Sequence, residues 1–199
     1  MPSQYSFNPI LEGQYIRLVA LEEGHKNDLK KASLNESVWT FNRPLSSSLD
    51  HYTSQYIEKM LQDHQFGDPF SYVVILKTDN RIIGSTRYYG ISKQDKRLCI
   101  GFTWYSPNYW GSAVNPESKL LLLSQAFETL DINRVEFHVD SRNTRSISAM
   151  LYLGASLECV MKKHKIVQGD FVRDTVLFSI LKNDWVAIKS NLKLRLKRP

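Results

Sequence analysis

The segment SPNYWGSAVNPESKLLLLSQAF, residues 106–127, joins a turn-rich loop to an apolar helix, and its reading sets the layout of the chain. Pro107 closes the strand-like run RLCIGFTWY (97–105). Asn115 followed by Pro116 predicts a helix start, with a preferred cap and proline at the first helical position, running on to about residue 130. The first helical turn leaves N–H groups unpaired, and the helix dipole makes that end weakly positive. Gly111, Ser112 and Ala113 are small enough for a ligand to approach the backbone. Together these features form a cradle for a phosphate that needs little side-chain chemistry. A plain strand-to-helix turn has the same composition. A Walker loop is excluded, because no glycine-rich run ends in Gly-Lys-Ser/Thr.

Outward from this segment, YIRLVAL (15–21) reads as a strand and EEGHKNDLKKASLN (22–35) as a polar surface helix. Residues 46–65 read as a helix with Asp50 as candidate N-cap and Tyr56, Ile57, Met60 and Leu61 at helical spacing. FSYVVILKTDNRIIGSTRYYGI (70–91) is two β-rich runs around a TDN turn. RVEFHVD (134–140) is a strand, and TRSISAMLYLG (144–154) a short helix stopped by Gly154. Residues 156–181 form a long hairpin turning at QGD, and residues 183–196 a closing helix with Asn183 as candidate cap. The order β-α-α-β-β-β-α-β-α-β-β-α predicts an α/β (α+β) fold: a mixed, mostly antiparallel twisted sheet with helices on both faces. Repeated parallel βαβ units are missing, which excludes a doubly wound dinucleotide fold.

The chain has 199 residues, 42% hydrophobic and 12% aromatic, which suits one domain over 1–199 with a sizeable core. No apolar run reaches the roughly 20 residues that span a bilayer, and the first residues do not read as a secretory leader. Cys99 and Cys159 make no disulfide framework; both are expected reduced and buried, in a cytoplasmic protein. The net charge of +6 gathers in the basic tail, 183–199, where Lys189, Lys193, Arg195, Lys197 and Arg198 follow Asp184. A terminal basic segment without a nucleic-acid-binding motif reads as a solvated face, so no nucleic acid is expected as partner. The five histidines are scattered with none at ligand spacing, so no metal is expected.

The motifs beyond the loop carry a family resemblance. Asn108, Tyr109, Trp110, Gly111, Ser112 and Ala113 resemble the pyrophosphate loop Gln/Arg-x-x-Gly-x-Gly/Ala of the GNAT acetyltransferase superfamily, with Asn at the first position. DSRNTRSISAMLYLGASLE (140–158) and KHKIVQGDFVRDTVLFSILKNDW (163–185) resemble, in order, two signatures of its ribosomal-protein N-terminal acetyltransferase-like branch. The resemblance runs from about Leu11 to Trp185. It implies acetyl-CoA as co-substrate and acetyl transfer to an amine, either a small molecule or a peptide or protein N-terminus, by direct attack.

It also implies a set of site residues. The backbone of Trp104, Tyr105 and Ser106 would pair with the pantetheine arm like an added strand, and Trp110, Gly111, Ser112, Ala113 and Val114 would hold the diphosphate. The side chains of Trp104 and Tyr105 are expected in the core. Asn143 and Ser146 stand at i and i+3 as a helix cap pair, and the motif also sets them beside the cofactor. The tyrosine acid common in the family is replaced by Met150, which leaves Ser146 as the group near the leaving thiolate. The branch's glutamate falls at Lys165, which leaves His164 as the candidate base, or else an exposed strand residue. His138 is expected to be a packed strand residue. Trp39, Phe41 and Arg43 are candidate lining of the acceptor pocket, or a surface loop packed on the core. The departures at Asn108, Met150 and Lys165 keep open a non-catalytic acyl-CoA sensor. Exposed apolar residues on the late strands are compatible with a homodimer.

Overall fold

A computed structural model describes residues 5–42, 46–66, 68–167 and 170–197. Eight strands form one sheet in the order β1-β2-β3-β4-β5-β6-β8-β7. The strands are β1 (Ile10–Glu12), β2 (Ile16–Ala20), β3 (Phe70–Leu76), β4 (Ile82–Ser92), β5 (Arg97–Tyr105), β6 (Arg134–Asp140), β7 (Ser156–Val167) and β8 (Phe171–Leu181). The helices are α1 (Lys26–Ser33), α2 (Leu49–Gln65), α3 (Val114–Ser124), α4 (Thr144–Leu153) and α5 (Trp185–Leu196). All pairs are antiparallel except β5–β6, which α3 connects as a crossover.

Strand alternation gives the sheet two apolar faces. On one face Tyr72, Val74, Ile83, Leu98, Ile100, Val135 and Phe178 meet α3, α4 and α5 through Leu122, Leu123, Met150, Leu153, Trp185 and Ile188. On the other, Val73, Ile75, Ile82 and Trp104 meet α1 and α2 through Leu29, Ile57, Met60 and Leu61. This second core draws on β3–β5 but on no residue of β6, β7 or β8. There the same face carries Glu136, His138 and Thr175 instead.

Several local expectations change. Three residues were too few to signal β1, which pairs with β2 through Glu12↔Arg17. Ser48, not Asp50, caps α2, its hydroxyl accepting from His51 N at 3.3 Å. Helix α3 begins at Val114, ahead of Asn115, and proline, lacking an N–H, is tolerated within the first turn. α3 continues into a π-helical turn, Gln125–Thr129. Asn183 lies in a 3₁₀ turn, Lys182–Asp184, before α5. Cys99 is buried but Cys159 is exposed on β7. The β7–β8 hairpin forms as expected, with Gln168 and Gly169 of its turn outside the described residues.

Candidate active site

Strands β5 and β6 pair at Arg97↔Arg134, Leu98↔Val135 and Cys99↔Glu136, and then part. Residues 100–105 keep β4 on their far edge, and residues 137–140 keep β8 on theirs. Phe102, at φ 49°, marks a bulge in β5 between the Arg87↔Gly101 and Ser85↔Trp104 pairs. Such an extra residue bends the strand and ends regular pairing.

Beyond the bulge, Ser106 N donates to Ile83 O on β4 at 2.8 Å. Backbone groups alternate edges along a strand, so Trp104 also faces β4 while Tyr105 faces the split. The Tyr105 carbonyl accepts from Trp110 Nε1 at 3.0 Å, which leaves the Tyr105 amide as the free donor on that edge. Ser106 is used inside the protein: its hydroxyl donates to Ala32 O at 2.8 Å and its carbonyl accepts from Tyr109 N. Of the three strand residues expected at the split, the geometry therefore selects Tyr105. The side chains of Trp104 and Tyr105 are buried, one in each core.

In the loop, Trp110 N donates to Pro107 O and Val114 N to Ser112 Oγ. The N–H groups of Gly111, Ser112 and Ala113 make no hydrogen bond within the protein among the described residues. Gly111 has φ +73°, a left-handed backbone that suits glycine, and a Cβ there would meet nothing within 4 Å. The three free amides thus cluster at the start of α3, with the Trp110 ring held under the Arg145 guanidinium at 3.5 Å. Glu117 points away from them. Its carboxylate accepts from Gln14, Tyr15 and Ile16 N–H at 2.6, 2.8 and 2.8 Å. Lys119 is directed at β5 and not at the loop. It is 3% exposed, and its Nζ donates to Thr103 Oγ1 at 3.1 Å, with burial pushing its pKa down to about 7.

On α4, Asn143 Oδ1 accepts from Ser146 N at 3.0 Å, so the cap pair forms. Met150 is buried, and Tyr152 faces solvent against Arg195.

The second face of the sheet gathers proton-handling groups beside the split. Arg134 Nε donates to Glu136 Oε1 at 2.8 Å, and Cys99 Sγ donates toward Oε2 at 3.9 Å. Burial, then the adjacent Glu136, push the Cys99 thiol up to about 11, so it stays protonated. His138 Nε2 lies 3.5 Å from Glu136 Oε2, while its Nδ1 is buried without a partner. Desolvation holds the His138 pKa below the usual imidazole value against the upward pull of Glu136. Donor atoms of Cys99, Glu136 and His138 lie within 4.8 Å of one another, a grouping that sequence spacing could not show. His164 is 6.0 Å from His138, ring to ring, and its Nδ1 is 3.0 Å from Thr175 Oγ1. It sits on β7, the sheet's edge, where desolvation and the cations Lys165 and Arg173 lower its pKa. Asp174 has a structural role, accepting from Lys162 Nζ and Lys163 N.

Residues 16–156 match the model of the acetyltransferase (GNAT) domain. The chain belongs to the GNAT acetyltransferase family. An uncharacterized N-acetyltransferase p20 of Bacillus licheniformis is 27% identical over 119 residues, 60% of this chain and 66% of that protein, so the chain spans just under two thirds of that relative's length. The crystal structure of a GCN5-related N-acetyltransferase from Brucella melitensis superposes with a TM-score of 0.84 at 26% identity, covering 94% of this chain and 85% of that one. Mycobacterium smegmatis RimJ, solved in complex with CoA-disulfide, shares the fold at a TM-score of 0.77 and 15% identity, covering 94% of this chain and 93% of that one.

In this member of the GNAT family, the early loop divides. Trp39, read as lining of an acceptor pocket or as part of a loop packed on the core, is 2% exposed and packs in the core. Its Nε1 donates to Ser33 O at 2.8 Å, and its ring packs on Tyr52, Tyr56 and Trp104. Its large apolar surface is better placed inside than at a wet pocket. Phe41 remains partly exposed, 5.5 Å from the Arg142 guanidinium, which also stacks on Phe171 at 3.8 Å. The early loop therefore meets the start of α4 and the β7–β8 hairpin. Arg43 lies outside the described residues. Among the described residues, no helix is long and apolar enough to cross a membrane.

Proposed function

We propose that this acetyltransferase moves an acetyl group from acetyl-CoA to an amine, a small molecule or a peptide or protein N-terminus, by direct attack. The observation that carries this is the trio of free amides at Gly111, Ser112 and Ala113 beside an unpaired strand edge. Backbone N–H groups at a helix start suit a diphosphate. The edge of β5 suits the amides of a pantetheine arm, with the Tyr105 N–H facing it. The CoA compound bound by the RimJ relative supports the same carrier here.

Bound there, acetyl-CoA supplies the activated acyl carbon. Trp110 and Arg145 flank the cradle, and Val114 sets the helix behind it. Asn143 orders the start of α4, and Ser146 presents a hydroxyl to the departing thiolate. The amine's proton is taken on the polar face that carries His164, directly or through water. Phe41 lines the acceptor side. The free cysteines suit the reducing cytoplasm, and exposed Leu157, Val160, Ile166 and Val172 on the outer strands suit a homodimer. Thiol release from acetyl-CoA across a panel of amines and peptides tests the activity. Gly111→Trp should keep the fold and lose coenzyme binding; wild-type protein that binds no acetyl-CoA by calorimetry would refute the proposal.

A further inference from the structure

Among the described residues, four on the second face of the sheet bury a side-chain polar atom without a partner, Ser71, Arg87, Trp104 and His138, and the two of these that can carry a charge, Arg87 and His138, are of opposite kinds. Arg87, on β4, is 4% exposed, and its Nε and Nη2 make no hydrogen bond. Tyr56 of α2 and Phe102 of β5 lie against its guanidinium at 4.9 and 4.7 Å. His64 is the titratable group that feels its charge. A cation removed from water without an opposite charge is costly. Aromatic faces offset part of that cost, but they accept nothing in the plane of the guanidinium. Buried donors of this kind call for a specific explanation.

The second orphan is His138 Nδ1. Glu136 beside Nε2 favours the tautomer protonated there, which leaves Nδ1 as an acceptor. Arg87 pairs with Gly101 on β5, and His138 lies two residues past the last β5–β6 pair, Cys99↔Glu136, so it faces Gly101 and Arg87 across the opening of the split. From Arg87 on β4 across β5 to His138 on β6 is more than the roughly 10 Å of two ordinary strand spacings, because β5 and β6 have parted there. Between its ends, the Phe102 and Tyr89 rings are 5.1 Å apart and the Tyr89 and His138 rings 6.2 Å.

We propose that the acceptor is an amine that carries a carboxylate, the carboxylate held by Nε and Nη2 of Arg87 and the amine nitrogen delivered to His138 Nδ1 at the mouth of the β5–β6 split. This rests on the acetyl-transfer reading above and names its substrate class. The amine nitrogen attacks the thioester carbon, a C–N bond forms and the C–S bond breaks. The nitrogen's proton passes to His138 Nδ1, and the thiolate leaves and is protonated. Glu136 positions His138, and His164, 6.0 Å from it ring to ring on the same polar face, passes the proton on to solvent through water. Half-exposed Phe102, which lies against the guanidinium, and Tyr89, whose ring covers Gly101 between Arg87 and His138, are the side chains that must yield as the ligand enters.

The test uses the full chain with glycyl-glutamate and ε-aminocaproate, each against its neutral amide. The Arg87 Nε–H resonance, assigned by its loss in Arg87→Lys, should shift with the acids and not with the amides. Thiol release from acetyl-CoA should favour the acids about 10- to 100-fold in kcat/KM. Arg87→Met should erase that preference, leave acetyl-CoA affinity unchanged, and raise Tm by several degrees because an unpaired buried charge is gone. His138→Gln should lower kcat about 100-fold with coenzyme affinity intact. An Arg87 resonance unmoved by either acid, or equal use of acids and amides, overturns the proposal. Failure of the wild type to bind acetyl-CoA would instead overturn the acetyl-transfer reading, while the resonance still decides the anion site.

Discussion

Cys99 on β5 and Glu136 on β6 form the last pair before the two strands separate, and their side chains meet there, Sγ 3.9 Å from Oε2. The point where the backbone stops pairing is thus also where a carboxylate, a thiol and an imidazole converge. Three groups that share one face of a sheet need no loop to bring them together. The parallel register alone does it, and their geometry is as stiff as the strands.

Glu117 ties α3 to the turn before β2 by accepting three backbone N–H groups while 3% exposed. Glu117→Ala leaves these donors without a partner and should cost about 3–5 kcal/mol. Glu117→Gln keeps one acceptor oxygen and should cost less. Urea denaturation of the two variants measures the difference, and equal losses would contradict this account.

Lys119 predicts an unusual pH dependence. Its pKa is about 7 folded and 10.5 when unperturbed. Below pH 7 both states carry the proton and the full burial cost opposes folding. Between pH 7 and 10.5 only the unfolded chain holds the extra proton, so raising the pH favours the folded state. Lys119→Met removes this term. Relative to that variant, wild-type stability should rise through this window by up to about 1.4 kcal/mol per pH unit. Paired denaturation curves at several pH values check it.

Asn143 and Ser146 should separate by readout. Asn143→Ala removes the acceptor of the Ser146 amide and should lower stability by about 1 kcal/mol. Ser146→Ala keeps that backbone bond and should leave Tm nearly unchanged, while kcat for thiol release falls about 10- to 100-fold if the hydroxyl serves the thiolate. A stability loss from Ser146→Ala equal to that from Asn143→Ala would reduce the pair to a cap.

Trp110→Phe keeps the ring under Arg145 but removes the donor to the Tyr105 carbonyl. The freed carbonyl lies on the split edge. Coenzyme affinity should fall by up to about tenfold, with the far-ultraviolet spectrum unchanged. Calorimetry of acetyl-CoA binding measures the effect.

The strand and helix order was legible because the periods were clean: VVIL and IIG alternate across two cores, and Gly154 stops α4 with φ 93°. Cap positions were less so, since Ser48 and Asp50 both suit a helix start and only the backbone path chooses between them. Trp39 stayed open between pocket and core because an aromatic in a loop-like segment reads the same whether it faces water or, as here, Tyr52, Tyr56 and Trp104. The loop 111–113 could be found from its small residues beside Asn-Pro. Arg87 and His138 could not, because the signal lies in what fails to surround them, and only assembled strands reveal that.

The short seam between β5 and β6 has a mechanical meaning. The sheet is two stiff plates, β1–β5 and β6–β8, hinged on three residue pairs and strapped by α3, with Asp131 clasped by Lys96 and Lys182 at the closed end. Load applied across the plates concentrates on that hinge. A guest seated along β5 acts as a strut, so in a pulling experiment its arrival should register as a higher rupture force at the seam.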